Sequence, residues 1–278
     1  MTFDRIDHQQ RAALVIAHPG HELRVHRWLE IARPSVFVLT DGSGRSGRSR
    51  LAATRNVINA AGARIGPVYG LWTDHGIYHA IRRQEVDELV QLAKTLASEL
   101  LAAGIDYVVA DAVEGYNPSH DICRYIVDAV VEYLAQVGER SVQSYEFLLV
   151  GRPDVCPDEL QDASLCVQLD PAATARKIAA ARGYAELKSE VDAAVAQFGE
   201  SVFGTEYLLP AEPARSLARF RNRRPYYETY GEQQVAAGHY DEPIRYTTHV
   251  EPLVYAVRRE LGLRIPAHTT ESLHSQPR

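Results

Sequence analysis

Short unbroken apolar runs alternate along the first half of the chain with longer stretches in which apolar residues recur every three or four positions. The runs ALVIAH (13–18), SVFVLTD (35–41), PVYGLW (67–72), IDYVVAD (105–111) and YEFLLVG (145–151) predict strands. Runs this short and continuous belong to strands covered on both faces, as in a parallel sheet. Helical spacing appears in SRLAATRNVINAAGA (49–63) and RRQEVDELVQLAKTLASELLAAG (82–104), each with a glycine near its end, and in SHDICRYIVDAVVEYLA (119–135), with Ser119 as its N-cap. Strands alternating with helices of this length predict βαβ units: an α/β fold with a mostly parallel sheet between two helical layers. The stretch 170–199 predicts one long helix or two shorter ones. Beyond about residue 200 the chain is rich in Pro, Arg and Tyr. We read 1–150 as the core and 151–278 as a helical and irregular elaboration of the same domain.

Composition narrows the function classes. Of the 278 residues, 46% are hydrophobic and 24% charged, as in an ordinary globular protein. A net charge of −6 gives no electrostatic footprint for nucleic acid. No apolar run has the roughly 20 residues needed to cross a bilayer. The start, MTFDRIDHQQR, lacks the basic-then-apolar pattern of a secretory signal. Cys123, Cys156 and Cys166 are odd in number and widely spaced, which gives neither a disulfide framework nor a metal clamp. The expected setting is the cytoplasm, and a homo-oligomer is compatible with everything above.

Titratable residues cluster where the strands end. Ligands of open α/β sheets bind beyond the carboxyl ends of the strands. AHPGHE (17–22), TDG (40–42) and EGYNPSHD (114–121) should therefore converge on one edge. His18 and His21 share one side of a turn if it is helical, and His120 can complete a facial set of three imidazoles. Three protein ligands with one open position is the arrangement of catalytic zinc, which activates water at neutral pH. Spacing alone leaves the alternative open that these histidines cap helices or hydrogen-bond within the core.

The order of these motifs resembles the LmbE-like (PIG-L) family of zinc-dependent N-deacetylases. That family opens on a strand ending Ala-His-Pro-Asp-Asp-Glu, then has a strand ending Thr-Asp-Gly, then a loop bearing His-Pro-Asp-His. The likeness covers about residues 12–150 and implies a Rossmann-like three-layer fold. It implies Zn2+, or another divalent metal, on His18, His21 and His120. It further implies hydrolysis of an N-acetyl or N-acyl amide on a sugar-like small molecule. Glu22 matches the family's glutamate at the first turn. Two positions depart: Gly20 stands where the family has its general-base aspartate, and Asn117 where it has a histidine that assists the tetrahedral intermediate. Asn117 can still donate a hydrogen bond to an oxyanion. Proton transfer would then fall to another carboxylate, with Glu22, Asp41, Asp74, Asp111 and Glu114 as candidates and Glu114 favoured by its place in the loop of His120. The alternative is a catalytically impaired protein of this fold that binds a sugar or anionic ligand without turnover.

The remaining motifs are less directive. GSGRSG (42–47) has the glycine spacing of a dinucleotide loop but follows the second strand and lacks the acid that such a site needs further on. Asp41, Arg45 and Arg48 there can instead hold an anionic part of a substrate. The arginine run 215–225 reads as a solvated face. The segment 224–246 suits sugar recognition by stacked tyrosines and carboxylates, or packs its tyrosines on the core as a β-hairpin. His239, His249 and Glu228 have no position fixed by the sequence.

Overall fold

The computed structural model describes residues 10–138 and 141–265. A seven-stranded sheet runs in the order β3-β2-β1-β4-β5-β7-β6. The strands are β1 (Ala12–Ile16), β2 (Ser35–Thr40), β3 (Arg64–Trp72), β4 (Tyr107–Asp111), β5 (Gln143–Phe147), β6 (Leu165–Gln168) and β7 (Thr205–Pro210). From β3 to β5 every pairing is parallel, whereas β7 pairs antiparallel with both β5 and β6. The sequence did not mark β6 or β7 as strands.

The continuous apolar runs are explained by burial on two faces. Along β1, Ala13 and Val15 join one core while Ala12, Leu14 and Ile16 join the other. Phe37 and Leu39 of β2 and Val108 of β4 fall on the first side, Val36, Val38 and Val109 on the second. The first core is roofed by α3 (Asp74–Arg83), α4 (Val86–Ala102), α5 (Pro118–Gln136) and α10 (Glu251–Glu260). The second lies beneath α1 (His26–Ala32), α2 (Leu51–Ala60) and α6 (Pro171–Arg182). This is the three-layer α/β arrangement expected. No helix among the described residues is long and apolar enough to cross a membrane.

Some local readings are corrected, and others are narrowed to one of their alternatives. The helix expected over 82–104 begins at Val86, because Gln84 adopts a left-handed φ of 56° and closes α3 instead. Its side chain donates to the carbonyls of Ile81 and His249, so a tertiary contact holds the break. The stretch 170–199 forms two helices, α6 and α7 (Lys188–Phe198). The N-cap of α5 is Asn117, whose Oδ1 accepts from the Ser119 amide, and not Ser119 itself. Past β7 come α8 (Pro213–Ala218) and α9 (Tyr226–Ala236); α9 occupies the tyrosine-rich segment, so the hairpin alternative does not hold there.

One buried polar cluster in the sheet has a measurable pH signature. Arg124 and Asp128 form a fully buried pair on α5 at 2.7 Å, beside Glu146 of β5. Burial, with the charge of Asp128, pushes the Glu146 carboxyl up to about 6 against the pull of Arg124 and Arg215. The folded state thus holds this proton longer than the unfolded chain, whose carboxyl loses it near 4.5. Stability attributable to Glu146 is present below about pH 4.5 and is lost as pH rises through about 6, by about 2 kcal/mol. Urea midpoints at pH 4.5 and 7.5 should differ less in Glu146→Gln than in the natural chain; equal slopes would refute this.

Candidate metal centre

Strand order reverses between β1 and β4, since β2 and β3 lie on one side of β1 while β4 and β5 lie on the other. At such a switch point two carboxyl ends diverge and leave a crevice. Into it the chain sends Ala17 to Val25 after β1 and Ala112 to His120 after β4. The His21 amide donates to the His18 carbonyl at 3.4 Å in the turn that leads into a short 3-10 segment, His21–Val25, and the two rings stand near each other. His120 comes from the first turn of α5.

The three imidazoles meet there. Ring centroids are 5.3 Å apart for His18 and His21, 5.0 Å for His18 and His120, and 4.5 Å for His21 and His120, all edge to face. Burial, together with the neighbouring imidazoles, pulls His21 and His120 well below the ordinary histidine value. Both rings are therefore neutral near pH 7, the form that ligates metals.

Two of the rings are oriented by carboxylates. His18 Nδ1 lies 2.9 Å from Asp74 Oδ1 and 2.7 Å from Thr40 Oγ1, while the Thr40 hydroxyl itself donates to Asp74 at 2.6 Å. His21 Nδ1 sits 2.9 and 3.0 Å from the two oxygens of Asp111. Burial raises the Asp111 carboxyl to about 7, although the Ala17 amide and nearby positive charge oppose this. Asp74 goes the other way: burial would raise it, but its bonds to His18, Thr40 and the Gly44 amide hold it well below the carboxylate range. Carboxylates behind ring N–H groups fix the tautomer and aim the opposite nitrogen.

The third ring and the remaining nitrogen of His18 complete the picture. His120 makes no hydrogen bond among the described residues. His18 Nε2 is 2.7 Å from Ser119 Oγ, and that hydroxyl is also 2.7 Å from Asn117 Oδ1. As the side chains stand, no group of three or more His, Cys, Asp or Glu among the described residues is arranged to hold a metal ion.

The other residues singled out from the sequence lie around this cluster with local duties. Glu22 is fully buried; it accepts from the Gly20 amide at 2.8 Å and from the Tyr184 hydroxyl, which fixes the turn. Glu114 accepts from the amides of Leu149 and Val150 and so pins the loop after β5. Asp41 accepts from the Ser43 amide at 2.9 Å. Arg48 is exposed, and the side chain of Arg45 lies outside what is described. Asn117 donates to the Tyr78 hydroxyl at 2.9 Å while capping α5, which uses part of its capacity as a donor. Gly20 has φ 104°, and a Cβ there would stand 3.1 Å from Leu187 Cδ1. His249 accepts from its own turn at Arg245, and Glu228 holds the Tyr246 amide, so both fasten the C-terminal elements. Sequence reasoning gave Thr40, Ser119 and Tyr78 no part in orienting the histidines, because a hydroxyl carries no spacing signal.

Two cavities lie near the site, one of them bordered by His21. One of about 610 Å³ is bordered by Gly20, His21 and α7. The other, about 470 Å³, borders Asn117 and is walled by tyrosines, among them Tyr78, Tyr116, Tyr226 and Tyr230. Tyr116 and Tyr226 stack at 5.4 Å with 10° between planes.

No family model matches the chain, and no curated protein matches its sequence. Among solved structures, the chain is similar to Dbv21, a deacetylase of the A40926 pseudoaglycone, at 16% identity over 86% of this chain and 98% of that one, with a TM-score of 0.40. It is also similar to a triple mutant of a deacetylase of the teicoplanin biosynthetic pathway, at 12% identity over 73% and 99%, TM-score 0.45. A third is the conserved protein TT1542 from Thermus thermophilus, at 16% identity over 71% and 92%, TM-score 0.44.

Proposed function

We propose that this protein is a metal-dependent amide hydrolase that removes an acyl group from the nitrogen of a sugar-like amine. The observation that carries the reading is the trio His18, His21 and His120 at the switch point, with Asp74 and Asp111 behind two of the rings. Three imidazoles have the donor chemistry of a zinc-type site, although the side chains as they stand do not form a ready-made ligand group. Ser119 Oγ lies 2.7 Å from His18 Nε2 and donates to Asn117 Oδ1 at 2.7 Å. A metal that displaced the Ser119 contact at His18 Nε2 would therefore leave that hydroxyl hydrogen-bonded, without stranding a buried polar group, which would otherwise cost about 1–3 kcal/mol. A divalent metal on the three imidazoles would supply Lewis acidity toward water and an acyl carbonyl.

The chain's own residues do the rest. The tyrosine-walled cavity beside Asn117 would receive the amine side of the substrate, with Tyr116 and Tyr226 offering a ring face to a sugar. Tyr78 keeps its proton, since burial pushes its hydroxyl up to about 12. It can therefore donate next to Asn117 at neutral pH.

The second reading, binding without turnover, is favoured by one specific observation. The place of a base beside His21 is filled by Leu187, and both Glu22 and Glu114 are committed to backbone amides. Calorimetric zinc titration together with amine release from N-acyl glucosamines decides between the two. We expect one zinc per chain, and we expect Asp74→Asn to weaken binding about 10–100-fold, because His18 loses its orienting carboxylate. Zinc binding with no amine released from any substrate would select the second reading. No zinc bound would overturn the metal site.

A further inference from the structure

The loop between β4 and α5 is held from three sides. On the side of β5, the Ala112 amide donates to the Phe147 carbonyl at 3.1 Å, and the Glu114 carboxylate takes the Leu149 and Val150 amides. From α5, Asp121 Oδ1 reaches back and accepts from the amides of Glu114 and Gly115 at 3.0 and 3.1 Å. From the C-terminal elements, the Tyr227 amide donates to the Gly115 carbonyl at 3.0 Å. Gly115 adopts a φ of 69°, and a Cβ there would strike the Phe220 ring and stand 2.8 Å from Pro225 Cβ. Only glycine fits beneath that cover.

The loop ends on Asn117, the N-cap of α5, and the first turn of that helix carries His120. Asp121 thus ties the backbone two residues before Asn117 to the helix that presents His120. It lines neither cavity, so its route to the chemistry runs through the loop. Its presence has a cost. Asp121 is fully buried, and its Oδ2 has no hydrogen-bond partner among the described residues; the same holds for the buried Tyr227 hydroxyl. Buried polar atoms left in this way lower stability. A position that served the fold alone would do better without them, and such costs collect at functional sites.

We propose that Asp121 is a positioning residue: by holding the Glu114 and Gly115 amides it sets Asn117 relative to the three histidines, and Phe220, Pro225 and Tyr227 close the loop from the other side. What Asn117 does there rests on the hydrolase reading, whereas the hold on the loop can be measured without catalysis. Hydrogen exchange followed by mass spectrometry reads the hold. In Asp121→Ala the peptide covering 112–117 should exchange about 10-fold faster, the effect of one lost hydrogen bond, while peptides from β1 and β2 keep their rates. Asp121→Asn retains Oδ1 as an acceptor and should restore slow exchange. Amine release from N-acetylglucosamine by zinc-loaded protein reads the positioning. In Asp121→Ala kcat should fall about 10–100-fold, as for a misplaced group, with KM little changed, and it should recover in Asp121→Asn. Gly115→Ala, which forces the loop away from Phe220, should repeat both effects and replaces Asp121→Ala if that variant does not fold. Faster exchange at 112–117 with no hydrolysis of any amide by the natural chain would defeat the hydrolase reading and keep the clamp. Unchanged exchange at 112–117, exchange accelerated throughout the sheet, a loosened loop in a variant whose kcat is intact, a loss seen only in KM, no recovery in Asp121→Asn, or failure of both Asp121→Ala and Gly115→Ala to fold would overturn the positioning role.

Discussion

His120→Ala is expected to abolish amine release and to reduce the metal content of purified protein below a tenth of an equivalent per chain. His120 is the ring with no hydrogen bond among the described residues, so its loss removes a donor and strands no partner. Its centroid is 5.0 Å from His18 and 4.5 Å from His21, which makes it the member that closes the triangle. Two imidazoles hold a zinc-type ion far more weakly than three, and removing the metal removes its whole share of the rate, at least about 10³-fold by analogy with other electrostatic stabilisers. Thermal stability of the metal-free variant should match that of the metal-free natural chain. Metal analysis after dialysis against a weak chelator, paired with an amine assay, reads both effects. Full metal content in His120→Ala would show that the ion, if any, sits elsewhere.

Lys177→Met should destabilise the fold by about 3–5 kcal/mol, the largest stability effect expected of a single substitution at the site's edge. Lys177 and Glu206 are both buried and bonded at 2.9 Å. Lys177 also donates to the Arg24 carbonyl at 3.0 Å. Glu206 accepts from the amides of Arg27 and Trp28 at 2.8 and 2.9 Å, at the start of α1, where no local side chain caps the helix. Without the ammonium, a carboxylate is left buried and unbalanced. The exposed pair Lys188–Asp192, also an ion pair at 2.6 Å, serves as the contrast: Lys188→Ala should leave the urea midpoint unmoved, because solvent screens it. A Lys177→Met midpoint within error of the natural chain would mean that Glu206 is held without its partner.

Much of the site's placement was legible because it depends on local signals. Continuous apolar runs marked β1, β2, β4 and β5, and the rule that ligands gather where strands end put His18, His21 and His120 on one edge. The order of the sheet is what brings those ends together, and the spacing His-x-x-His is closed by the bond from the His21 amide to the His18 carbonyl. What stayed hidden depends on contacts across long separations. Asp74 and Asp111 stood out as possible proton carriers, yet they lie behind His18 and His21, a pairing that only the sheet's closure creates. β6 and β7 are short and partly polar, because they lie at the end of the sheet and not in its middle.

The cap that β7 lends to α1 has a consequence for the order of events during synthesis. The turn carrying His18 and His21 leaves the ribosome among the first pieces of the chain, but Glu206 arrives some 180 residues later. Until then the amides of Arg27 and Trp28 lack the carboxylate that accepts from them in the folded protein. The contact that closes the start of this helix therefore forms only after β7 has been made, so the neighbourhood of the first two imidazoles is completed late in synthesis.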